Sequence, residues 1–414
     1  MSDFDGPLTI VLVGDHGHET GGLTKVTFDS AIGLKAAGHR PIVFSAAGPI
    51  DPRLTEAGIE CVCMEQHSLV DHPSKLAAFV QGVWNAKAAK GLSDLLATLP
   101  RANTVVHVHG WAKATSPAIA LPIRASGLPA VYTMHDYFIF CPTGGFYNYS
   151  SQSVCRLEPL SGACWTSNCD ARNHVRKLWR CGRQVTMEKI FHFAELFSDY
   201  IFVSPFQIEA VGRRAPSHAL RHLVSNPISA ENQGPKAEAA QGDFLYVGRL
   251  SPEKGPDLFA EAALRAGVTP VFVGDGPMKA ELAAKYPQAR LLGWKTPAEV
   301  QRMMRAARCL VFPSLWWEAQ GLTALEAKAQ GTPVIVGAEC AAREAVDNGV
   351  TGLWFDSGDA DDLARALRIM GDDETVRRMS AAAHEDYWRD PPTLARHVAQ
   401  IVAIYRDMAA RTAA

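Results

Sequence analysis

Short apolar runs alternate along the chain with longer segments of helical period. Leu8–Val13 is a continuous apolar strand ending at Gly14, and a loop from Asp15 to Gly22 leads into a helix over 23–37. Gly38-His39-Arg40 breaks that helix, and Pro41–Phe44 is the next strand. Further strands are predicted at Thr104–Val108, Ala130–Thr133 and Asp199–Val203. A polar, Gly- and Ala-rich stretch, ENQGPKAEAAQG over 231–242, reads as a linker. Beyond it the pattern restarts. Asp243–Val247 runs into a turn at Gly248, and Leu310–Phe312 is stopped by Pro313. A helix from Leu322 to Gln330 is closed by Gly331-Thr332-Pro333 before the strand Pro333–Val336. The tail over 391–414 is helical, with Leu394, Val398, Ile401, Val402 and Tyr405 on one face. Strands alternating with helices in both halves predict two α/β units with parallel sheets.

Length and composition agree. At 414 residues and 47% hydrophobic content the chain has material for two cores. A net charge of −2 gives no global attraction to nucleic acid or to an anionic membrane. No apolar run approaches the roughly 20 residues needed to span a bilayer. The N-terminus is acidic and lacks a basic n-region and cleavage site, so a cytoplasmic location is expected.

The candidate chemistry sits at strand ends. Glu318 lies in the loop before the helix over 322–330, and Glu326 lies in its early turns. The amides of Gly321, Leu322 and Thr323 have no intrahelical partners, and the helix dipole is positive there, so an anion such as phosphate would dock between the two glutamates. Upstream, GRLSPEKG places Arg249 and Lys254 just after a strand, a planar fork and a mobile point charge for phosphate oxygens. In the first half, Gly14, Gly17, Gly21 and Gly22 do not form the G-x-G-x-x-G of a dinucleotide site. His135-Asp136 follows a strand, and His107 and His109 mark the end of another. Ligands of open parallel sheets bind at these carboxyl ends. The stretch 141–185 holds Cys141, Cys155, Cys164, Cys169 and Cys181 among Tyr147, Tyr149, Trp165, Arg172 and Arg176. Two readings stay open for it: a structural metal site on Cys155, Cys164, Cys169 and Cys181, or buried thiols, which the untidy spacing favours.

VGRLSPEKG, VFVGDGP, PSLWWEAQGLTALEAKAQGTPVI and EAVDNGVTGLWFDSGDADDLARAL together resemble glycosyltransferase family 4, in a match running through about 245–370 with weaker matches before it. The resemblance implies an α/β GT-B fold, two Rossmann-like doubly wound parallel-sheet domains facing a deep interdomain cleft. The N-terminal acceptor-side domain would span 1–228, with the Cys-rich insertion at about 141–185. The nucleotide-sugar-binding domain would span 229–390, and a helix over 391–414 would cross back to the first domain. It implies a retaining hexosyltransferase working by front-face attack in polysaccharide or lipopolysaccharide synthesis. Glu318 would grip the donor sugar, Glu326 the ribose, Arg249 and Lys254 the diphosphate, and His135 the reacting centre. Gly21, Gly22, Gly248, Gly274, Gly276, Gly321, Leu322 and Thr323 would line the donor site. Glu344 is similar to a later family glutamate, although Ala341-Ala342 stands where Gly-Gly is usual.

No cofactor is expected, and the donor would be a UDP, GDP or ADP sugar. The acceptor would be a glycan or a lipid-linked glycan, with no nucleic-acid partner and a peripheral contact with the inner face of the membrane through the Tyr- and Arg-bearing loop. No metal is expected, because Asp3-Phe4-Asp5 sits at a terminus and Asp359-Ala360-Asp361 begins a helix, where N-capping explains it. A GT-B epimerase or phosphorylase, and a noncatalytic carbohydrate-binding protein, are the alternative classes.

Overall fold

The computed structural model describes residues 6–413. The first half builds a seven-stranded sheet from β1 (Thr9–His16), β2 (Arg40–Ala47), β3 (Glu60–Gln66), β4 (Thr104–Val108), β5 (Ala130–Thr133), β8 (Asp199–Phe202) and β9 (Leu220–Leu223). A small hairpin, β6 (Tyr147–Asn148) and β7 (Ser153–Val154), lies in the Cys-rich insertion. The second half builds a six-stranded sheet from β10 (Phe244–Val247), β11 (Pro270–Val273), β12 (Arg290–Leu291), β13 (Cys309–Phe312), β14 (Val334–Gly337) and β15 (Gly352–Phe355). The strand orders are β3-β2-β1-β4-β5-β8-β9 and β12-β11-β10-β13-β14-β15. Every pair in both large sheets is parallel. Each sheet starts in its middle and winds outward both ways, which puts a topological switch point beside β1 in one lobe and β10 in the other.

Six helices matter below: α1 (Gly22–Ala36), α2 (Lys75–Val83), α3 (His174–Lys189), α4 (Pro205–Val211), α5 (Leu322–Ala329) and α6 (Leu394–Ala413). Parallel strands need crossovers, and helices on both faces turn the strands into near-continuous buried apolar runs. Ile10, Val11, Leu12 and Val13 are fully buried, as are Val105, Val106 and Val108. β1 runs past the apolar stretch to His16, because Gly14 and His16 still pair with Ser45 and Ala47 of β2. The strand thus carries Asp15 and His16 to the rim.

α6 returns to the first lobe. Val398, Ile401, Ile404, Tyr405 and Met408 share one core with β1 and with Phe28, Ala31 and Leu34 of α1. Among the described residues no helix is long and apolar enough to cross a membrane.

Candidate functional site

The loop after β13 is built by local hydrogen bonds. Leu315 donates its amide to the Glu253 carbonyl at 2.9 Å, and Glu253 is itself held by the Ser251 hydroxyl at 2.7 Å. This ties 313–318 to 251–254 and brings Lys254 to Glu318. The Lys254 ammonium donates to Glu318 Oε1 at 2.6 Å, and Ser314 Oγ donates to the same oxygen at 2.7 Å. Lys254 also lies over the Trp316 ring, 4.9 Å from its centroid. Lys254 and Glu318 answer each other's charge, and a ligand would have to share or exchange that contact. Arg249 is exposed on the turn after β10, and its charge acts on Tyr149 of the insertion.

Gly321 caps α5 in the left-handed conformation, φ 63°, and a side chain there would overlap Ala342. A Cβ on Gly22 would lie 3.3 Å from Leu322 Cδ1, so the glycine at the start of α1 faces the start of α5 across the cleft. Glu326, one turn on, is half-buried. Burial pushes its carboxyl up to about 7, with Lys25 of α1 opposing. Gly248 donates its amide to Val273, and Gly274, at φ 134°, packs its bare Cα on the Gly248 carbonyl. Gly276 packs on Leu250 in the same way. Close backbone packing therefore accounts for glycine at 274 and 276.

The other wall comes from the first lobe. His135 follows β5, and its Nε2 meets His109 Nδ1 at 2.9 Å with the rings stacked 18° apart. Burial, reinforced by the nearby His397, lowers its pKa to about 3, so the ring is a neutral hydrogen-bonding group. Asp136 is pushed up by burial to about 6. Asp15, on the carboxyl end of β1, accepts from the amides of Lys113, Ala114 and Thr115 at 2.7–2.9 Å and shapes the loop after β4.

The first lobe also grips the loop that holds Glu318. Tyr137 Oη donates to the Glu318 carbonyl at 3.3 Å, Ser204 Oγ to the Ala319 carbonyl at 2.7 Å, and the Asn226 amide to Gln320 Oε1 at 2.9 Å. Trp317 packs on Phe146 with ring centroids 5.1 Å apart. The sequence reading missed Tyr137, Ser204 and Asn226 as fasteners and Asp15 as the loop's acceptor. Each lies at or just beyond a strand's carboxyl end, which is the signal that finds them.

Glu344 accepts the Phe206 amide in the first turn of α4 with its carboxylate. Asp359 caps its own helix, accepting from the amides of Asp361 and Asp362 at 2.8 and 3.1 Å, and Asp361 pairs with Arg265. Asp3 and Asp5 lie outside the described residues. The cysteines surround a lysine. The buried Lys177 donates to the Cys164 carbonyl at 2.7 Å and to Cys164 Sγ at 3.3 Å. Hydrogen bonding from Cys181 and the Lys177 charge hold Cys164 well below the usual thiol range. Among the described residues no group of three or more His, Cys, Asp or Glu side chains is placed to hold a metal ion, Cys155, Cys164, Cys169 and Cys181 included.

Two family models match end to end: Glycosyltransferase Family 4 over residues 20–231 and Glycosyl transferases group 1 over 229–386. The chain is 34% identical to the UDP-Gal:alpha-D-GlcNAc-diphosphoundecaprenol alpha-1,3-galactosyltransferase of Escherichia coli over 78% of its own length and 82% of the relative's. It is 27% identical to a D-inositol 3-phosphate glycosyltransferase of Frankia alni over 84% and 86%. Solved structures share the fold. Sucrose-phosphate synthase from Thermosynechococcus elongatus superposes with TM-score 0.70 at 19% identity, covering 98% of this chain and 100% of that one. Anabaena HepE in complex with UDP and glucose superposes with TM-score 0.66 at 16% identity, covering 97% and 100%.

Proposed function

The chain belongs to glycosyltransferase family 4 as a GT-B hexosyltransferase, and from that membership we propose that it moves a hexose from a UDP-sugar to a hydroxyl of a lipid-linked glycan, with retention and without a metal ion. The observation that carries this reading is the Lys254–Glu318 pair beside the start of α5, whose Leu322 lies against Gly22 of the first lobe. Breaking the anomeric C–O bond leaves negative charge on the diphosphate and positive character on the sugar. Lys254, Arg249 and the amides at 321–323 supply fixed positive charge for the first. Glu318, released from Lys254 as the phosphate takes that cation, supplies negative charge for the second. The neutral His135 ring offers a hydrogen bond to the sugar without adding charge near the oxocarbenium. The acceptor hydroxyl enters on the face the diphosphate leaves, and a phosphate oxygen takes its proton. The bond to the acceptor oxygen forms as the bond to the diphosphate breaks.

The donor and acceptor classes are supported by the name of the Escherichia coli relative, which acts on UDP-galactose and a diphosphoundecaprenol-linked sugar. The same acceptor class motivates a work site at the inner face of a membrane. Purified protein supplied with UDP-galactose or UDP-glucose and a polyprenyl-diphosphate glycan should release UDP and give an α-linked product by proton NMR. Glu318→Gln, which keeps the shape of the side chain and its Ser314 contact, should lower kcat by about 10² to 10³. Wild-type turnover in that variant would remove Glu318 from the chemistry. A rate lost in EDTA and restored by magnesium or manganese would reject metal-free transfer.

A further inference from the structure

Helix α2 is packed inside out. Its large apolar residues are exposed: Leu76 is 75% exposed, Phe79 52% and Val80 54%, and Trp84 at its C-cap is 45% exposed while one side of its ring packs on Phe191. Spacings of three, four and eight put these four on one face. The opposite face, which is buried, offers only Gln81 and Gly82. Gln81 hydrogen-bonds the His67 carbonyl at 2.9 Å and the Ala114 carbonyl at 3.3 Å. Gly82 lets the Trp179 ring of α3 approach to where a Cβ would be 2.6 Å away. Ordinary folding buries the apolar stripe of a helix and solvates the rest. Here the polar and small residues are inside, so the apolar face is kept for something outside the chain.

The face extends onto α3. Phe79 meets Trp179 at 5.6 Å between ring centroids. One turn before and beside that tryptophan, Val175 is 77% and Leu178 41% exposed. Positive charge rims the patch: Lys75 begins α2, Lys87 follows Trp84, and Arg172 precedes α3, all exposed. Of the six basic residues over 171–190, Arg172 and Lys189 are exposed, whereas Lys177 and Arg183 are buried and Arg180 pairs with Asp170. Cations around an apolar face complement an anionic lipid surface, and neither part alone would hold the protein there. The patch also adjoins the cleft. The segment leading into α2 is tied to the loop after β4 by the Leu69 amide donating to the Lys113 carbonyl at 2.8 Å. Asp71 of that segment acts electrostatically on His16 at the rim of β1.

We propose that the α2–α3 face docks on an anionic bilayer, seating Leu76, Phe79, Val80, Trp84, Val175 and Leu178 among the acyl chains, with Lys75, Lys87 and Arg172 at the headgroups. This surface takes Arg172, Val175 and Leu178 from the insertion over 141–185 and adds α2 to it. The inference rests on the lipid-linked acceptor for its purpose, since docking would bring the cleft to a substrate that does not leave the membrane.

Co-sedimentation with vesicles, without donor or acceptor, tests it. The full chain should pellet with phosphatidylcholine vesicles containing phosphatidylglycerol and stay in solution with phosphatidylcholine alone. Leu76→Ser/Phe79→Ser/Val80→Ser should lower partitioning at least about tenfold. The charge reversal Lys75→Glu/Lys87→Glu/Arg172→Glu should do the same, with thermal melting and UDP-sugar hydrolysis in solution unchanged in both. Failure of the wild type to bind, equal binding to neutral vesicles, or undiminished binding by either variant would overturn the proposal. A wild-type dimer that the serine variant splits into monomers would also overturn it, assigning the face to a second copy of the chain. A chain that binds vesicles and transfers no sugar would refute the functional reading and leave this one standing.

Discussion

Glu318 and Glu326 lie eight positions apart and meet opposite surroundings. The first takes hydrogen bonds from Lys254 and Ser314, whereas the second is dominated by burial, with Lys25 only a distant relief. A carboxyl raised from 4.5 to about 7 has a definite effect on stability. Below pH 4.5 both folded and unfolded chains hold the proton, and the favourable contribution is complete. Between 4.5 and about 7 the unfolded chain ionises first, so folding weakens as pH rises, and above about 7 the contribution is gone. Glu326→Gln cannot ionise and should not show this decline. Because the side chain is half-buried rather than sealed, its stability relative to wild type should rise by about 1–2 kcal/mol between pH 4.5 and 8. Urea titrations at the two pH values measure it, and a constant difference would place Glu326 in ordinary solvent. Both acids were legible from their position around a glycine-opened helix. The Lys254–Glu318 contact was not, because 64 residues separate the partners and no local pattern records a long-range ion pair.

At the scale of elements, α5 shows how a short helix can be a site. Its eight residues begin at a glycine held at φ 63°, and the Leu322 side chain that follows lies against Gly22 of the first lobe. Gly321→Ala would require a left-handed alanine whose methyl group overlaps Ala342. It should destabilise the chain by about 1–3 kcal/mol and weaken UDP binding together with it. Calorimetric titration with UDP beside a thermal melt would check both. Full affinity with a lowered melting temperature would detach the helix start from the nucleotide. The glycine was readable from the sequence, and so were most strand cores, because buried parallel strands are continuous apolar runs. β1 extends farther than its apolar run because backbone pairing with β2 continues through residues whose side chains give no strand signal. α2 marks a deeper limit. Helical period reveals that a helix has an apolar face, but the direction of that face is set by what the rest of the molecule leaves room for, here Trp179 against Gly82.

For the whole molecule, the chain's end is built into its beginning. Ile401 and Tyr405 are fully buried in the core that also holds Ile10, Leu12 and Val105, and Tyr405 Oη meets His107 Nδ1 at 2.6 Å. The second sheet has its own cores, in which no described residue of α6 takes part. Stability should therefore divide by lobe and not by position in the chain. Ile401→Ala removes buried methyl and methylene groups from the first lobe alone and should cost about 2–5 kcal/mol there. Hydrogen exchange would then speed up across β1, β4 and α1, near the opposite end of the sequence from the substitution. Amides in β10, β11 and β13 should keep their wild-type protection, and UDP affinity should hold to the extent that the second lobe alone supplies the nucleotide contacts. Uniform loss of protection in both sheets would mean that the grip of Tyr137, Ser204 and Asn226 on the 318–320 loop couples the lobes into one cooperative unit, and the division by lobe would fall.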